Sequence, residues 1–83
     1  DPYIVDSLAW YYFKVGKYNE AQSLLEFSLD MMPYDPTVND HYGDVLWKLG
    51  NELEARFYWQ KAKDLDQENL FEDKVKIKLL KGI

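Results

Sequence analysis

Few side chains in this 83-residue sequence are of the types that carry out bond chemistry, and their spacing argues against it. His41 is the one histidine and cysteine is absent, so neither an imidazole cluster nor a thiolate set can hold a metal. Ser7, Ser23 and Ser28 have no base at a spacing that would activate a hydroxyl, and no glycine-rich run offers amides to a phosphate. Two carboxylate pairs, Asp40/Asp44 and Glu72/Asp73, are of the kind that does acid–base work. Pairs at such spacings are also ordinary on solvated helix faces. The expectation is a protein without catalysis, cofactor or metal.

Charge points the same way. The net charge is −5, and Lys74, Lys76, Lys78 and Lys81 hold four of the ten basic residues with no acid among them. Setting those four aside leaves residues 1–73 at −9. An acidic body repels phosphate backbones, so nucleic acid is not an expected partner. The lysine run is expected on the solvated face of a last helix, where cations also complement the helix dipole. No stretch approaches the ~20 apolar residues of a membrane span. No targeting signal assigns a compartment. A composition 47 % hydrophobic and 17 % aromatic favours a packed fold over disorder. A chain of this size buries only about 60–65 % of its unfolded surface, so it forms one small domain of marginal stability.

The elements that position these residues come from a repeat. The chain aligns with itself at a shift of 34: Asp1-Pro2 returns as Asp35-Pro36, Asp6 as Asp40, Lys14 as Lys48, Gly16 as Gly50, Glu20-Ala21 as Glu54-Ala55, and Asp30 as Asp64. Those eight identities exceed the ~2 expected by chance. Conservative matches fill in around them at Ile4/Val38, Leu8/Tyr42, Val15/Leu49 and Leu25/Trp59. Each unit reads as two helices. Pro2 and Pro36 suit a first turn behind a capping Asp. Gly16 and Gly50 mark where the chain leaves the helix with positive φ. Second helices follow over Asn19–Met31 and Leu53–Leu65. The spacing predicts a closing helix over 69–81, with Leu70, Phe71, Val75, Leu79 and Leu80 available for its covered face.

A 34-residue helix–turn–helix unit resembles the tetratricopeptide repeat. The first copy supplies the pattern as Val5, Leu8-Ala9, Tyr12, Gly16, Ala21, Leu25, Ser28 and Pro33. The second supplies Asn39, Tyr42-Gly43, Leu46, Gly50, Ala55, Trp59, Ala62 and Gln67, and is similar to such segments in large bacterial proteins. Asn39 and Gln67 depart from it, standing where a large apolar residue and a proline are usual. The resemblance implies an all-α, right-handed α-solenoid: repeat 1 over residues 2–35, repeat 2 over 36–68 and a capping helix over 69–81. It also implies an interaction scaffold whose first helices line a concave groove. Carried over position by position, that groove comprises Tyr3, Asp6, Trp10, Phe13 and Lys14, then Thr37, Asp40, Asp44, Trp47 and Lys48, flanked by Ser7 and His41. An acidic and aromatic groove favours a basic or aromatic–apolar protein segment over a carboxylate-terminated acidic one. Two readings limit this set. Most of the fourteen aromatics must be core, and Asp6 and Asp40 equally serve as helix N-terminal charges.

The first helix is apolar on nearly every side, which normally means burial on every side. Val5, Leu8, Ala9 and Tyr12 are expected to face the second helix of the same unit. Ile4, Tyr11 and Val15 then need another partner, as Val38, Val45 and Leu49 find one within this chain. The expectation is the end piece of a longer array, with self-association through Ile4, Tyr11 and Val15 as the alternative.

Overall fold

The computed structural model describes residues 1–70 and 72–83. Five helices follow one another: α1 (Pro2–Lys14), α2 (Tyr18–Met31), α3 (Pro36–Lys48), α4 (Glu52–Leu65) and α5 (Glu72–Lys81). No strand occurs among the described residues.

Local chemistry sets the helix ends. The Asp1 carboxylate accepts from the Tyr3 amide at 2.9 Å, and the Asp35 carboxylate accepts from the Val38 amide at 3.0 Å, so both Asp-Pro pairs cap as their spacing predicts. Both first helices close on a glycine with positive φ, +83° at Gly16 and +90° at Gly50. One residue later the Lys17 amide donates back to the Tyr12 carbonyl, and the Asn51 amide to the Leu46 carbonyl. These are Schellman closures 34 residues apart, each feeding a short turn into the next helix.

α1 pairs with α2 and α3 with α4, while α2 also packs against α3 and α5 against α4. Small residues set the closest approaches. Ala9, Ala21, Ser28, Gly43, Ala55 and Ala62 are all buried. The Ser28 hydroxyl donates to the Pro2 carbonyl at 3.0 Å, tying the end of α2 to the start of α1. A Cβ built on Gly43 would lie 2.5 Å from the Trp59 ring, so the glycine makes room for the largest core side chain. Asn39 is also explained. Fully buried, its amide donates to the Pro33 and Asp35 carbonyls at 3.1 and 2.8 Å, and so ties the α2–α3 loop.

Three expectations need correction. The closing helix begins at Glu72 and not at residue 69: Asn69 sits in left-handed conformation at φ 55°, and the Asp66 carboxylate accepts from the Leu70 amide, caging a turn there. Val75 is buried and Leu79 half-buried, but Leu70 and Leu80 are exposed; Phe71 lies outside the described residues. Leu8 is not covered: it is 45 % exposed, whereas its counterpart Tyr42 is buried, its ring against Tyr58 of α4 and its hydroxyl on Glu26 of α2. The lysine run is not wholly solvated either, since Lys78 is only 6 % exposed.

Candidate functional site

The carried-over groove residues fall into two clusters. In the first, α1 and α3 bring Asp6, Trp10, Phe13, Lys14 and His41 together. The Asp6 carboxylate accepts from His41 Nδ1 at 2.9 Å. The His41 ring stacks on Trp10 at 4.2 Å, Trp10 stacks on Phe13 at 4.8 Å, and the Lys14 ammonium lies 5.7 Å from the Trp10 ring. Trp10 and Phe13 stay half-buried, so this column of rings keeps an open edge. Asp6 is spent on His41 and not on the start of its helix. Tyr3 is exposed nearby in sequence, and Lys48 is exposed at the end of α3.

The second cluster is closed. Asp40 and Asp44, one turn apart on α3, both accept from the Lys78 ammonium at 2.8 Å. Lys74 adds a 3.4 Å ion pair to the other oxygen of Asp40. The Trp59 indole donates to Asp44 at 2.9 Å, and Lys78 lies 5.8 Å from the centre of the Trp59 ring. Asp40, Asp44, Trp59 and Lys78 are buried, and Lys74 is exposed. Burial pushes the Asp44 carboxyl up and the charge of Asp40 adds to the rise, while Lys78 and the Trp59 bond work against it. Trp47 is covered as well. It stacks on Trp59 at 5.5 Å, has the Arg56 guanidinium 5.0 Å from its ring, and lies against the Gly82 backbone, where a Cβ would overlap it. The open acidic stripe expected along Asp6, Asp40 and Asp44 is therefore replaced by internal pairs, because α1, α3 and α5 answer each acid with a base.

The repeat register held a signal for this. Lys74 and Lys78 lie 34 residues after Asp40 and Asp44, so the pairs follow the repeat spacing with the charge reversed. On α5, Val75 and Lys78 are buried and Leu79 is half-buried.

A different surface is left open. Ile4, Leu8, Tyr11 and Val15 run along one face of α1 and are 68, 45, 58 and 51 % exposed. Their counterparts on α3 are Val38, Tyr42, Val45 and Leu49. The first three are 1, 7 and 0 % exposed, Leu49 is half-buried, and α2 packs against this helix.

Among the described residues, no group of three or more His, Cys, Asp or Glu side chains is placed to hold a metal ion. No described helix is long and apolar enough to cross a membrane. No protein-family model, curated protein or solved structure matches the chain.

Proposed function

We propose that this chain is a non-catalytic protein–protein interaction module. It is built as two tetratricopeptide-like hairpins with a closing helix, a short right-handed solenoid segment that docks through the outer face of α1. One observation carries the reading: the same helix face is covered on α3 and bare on α1. A row of four large apolar side chains on one helix is more than the scattered exposure usual at a surface. The repeat register supplies the shape of what fits there, a helix presented as α2 is presented to α3. The occupant belongs either to a neighbouring hairpin of a longer array or to a second copy.

Light scattering over a concentration series tests this. Self-association of the chain is expected to disappear in the I4E/Y11E variant while the melting temperature holds within about 2 °C, since exposed substitutions change stability little. A melting temperature that falls as for a core substitution, or association that persists, overturns the reading.

A second reading rests on the open Trp10 edge. Rigid aromatic rings with a cation beside them make an economical anchor for a protein segment. On this reading an aromatic–apolar segment lies along the Phe13–Trp10–His41 column. Trp10→Ala then removes binding of that segment and leaves the α1 face competent, which separates the two surfaces.

A further inference from the structure

The second cluster has the form of a receptor with its ligand in place. Its fixed part belongs to α3 and α4: two buried carboxylates one turn apart, and an indole N–H that orients one of them. Emptied, this socket would present two adjacent carboxylates without a counter-charge, an arrangement that favours a cation. The cation comes from α5. Val75, the Lys74 and Lys78 pairs, the Arg56 guanidinium donating to the Leu79 carbonyl at 3.4 Å and Gly82 against Trp47 hold this helix, but it is short. It is a ten-residue helix, shorter than the roughly 12–15 residues that helices need to persist alone in water. Val75 and Lys78 are its buried side chains, Leu79 is half-buried, and Ile77 and Leu80 point outward at 53 and 83 % exposure. Residues 66–70 follow α4 without helix, with Asn69 in left-handed conformation.

We propose that the α3–α4 shelf is an exchangeable helix-binding site, and that its ligand in trans is a lysine-bearing amphipathic helix of a partner protein, with α5 as the resident occupant. Charge complementarity fixes the ligand's chemistry. A lysine must enter between Asp40 and Asp44, a second lysine one turn earlier must reach Asp40, and small or branched apolar residues must follow each of them, as Val75 and Leu79 follow Lys74 and Lys78. The site differs from the α1 face, so either can fail without the other.

The experiment uses the full chain and a synthetic peptide of residues 69–83 carrying a fluorophore. In the unaltered chain the peptide competes against the resident helix, whose covalent link acts as an effective concentration of roughly millimolar. The K78M chain keeps the socket but deprives the resident helix of its ammonium. Fluorescence anisotropy is expected to show the peptide binding K78M at least about tenfold tighter than the unaltered chain. A peptide with the same Lys78→Met change is expected to lose that binding. Equal affinity for the two chains, or equal binding of the two peptides, overturns the proposal. If K78M does not fold by circular dichroism, hydrogen exchange on the unaltered chain decides instead. Amides of α5 exchanging at least about tenfold faster than those around Trp59 show a helix that leaves its shelf on its own. Equal protection shows a fixed part of the core and overturns the proposal.

Discussion

Lys78 places its ammonium 2.8 Å from the Asp44 carboxylate, which lies 34 residues earlier in the sequence. The carboxylate is still pushed above its ordinary value near 3.8, by burial first and the Asp40 charge second. In the window between that value and the raised one, the folded chain holds a proton that the unfolded chain has lost. This group's contribution to stability therefore grows as pH falls through the window and is lost as pH rises above it. Asp44 is not expected to drive acid unfolding. Its side-chain carbon, followed by NMR, should titrate above 3.8 in the native chain and move back toward that value in D40N. An unshifted titration in the native chain would contradict the buried pair.

Gly43 and Trp59 form a matched pair, as Ala9 and Leu25 do one repeat earlier: the larger ring requires the smaller neighbour. Gly43→Ala gains helix propensity but pushes its methyl into the indole. The overpacking is expected to win, with a net loss of about 1–3 kcal/mol in denaturant unfolding. In a W59L background, which reproduces the first hairpin's Ala–Leu combination, the same substitution should cost little or nothing. Equal costs in both backgrounds would show that the two positions are not coupled.

Tyr42 is the tyrosine held against Tyr58 at 4.7 Å with its hydroxyl on Glu26 at 3.1 Å. Burial, with the Glu26 charge second, raises its phenol from 10.0 to about 12. An acid raised on folding keeps its proton longer in the native state, so stability falls as pH climbs from 10 toward 12. Absorbance titration should show a late phenol near pH 12. In E26Q that phenol should titrate earlier, and an unchanged late phase would sink the assignment.

The fold was largely legible and the site was not, for one physical reason. Helix ends depend on short-range chemistry, and Asp-Pro, Gly16 and Gly50 announce them directly. The small positions Ala9/Gly43 and Ala21/Ala55 announce where helices touch. Residue type alone does not tell an acid facing solvent from one facing a lysine of the next helix, so Asp40 and Asp44 read as an open surface. Helical periodicity does not give the rotation of a helix apolar on all sides, so Leu8 reads as covered when it is exposed beside Ile4 and Tyr11. The start of α5 was misplaced because the turn at Asp66–Asn69 depends on a carboxylate that bonds the Leu70 amide.

The bare face of α1 can be tested with the chain's own parts. Residues 1–34 placed ahead of Asp1 reproduce the natural junction, because Asp1-Pro2 then follows Tyr34 as Asp35-Pro36 does. The added α2 should lie over Ile4, Leu8, Tyr11 and Val15 of the original α1, as α2 lies against α3. Hydrogen exchange of the original α1 amides is the direct measurement. The account predicts that they slow by at least about tenfold, with a melting temperature several degrees higher. Exchange and melting unchanged by the added hairpin would contradict the claim that this face is made to receive a helix.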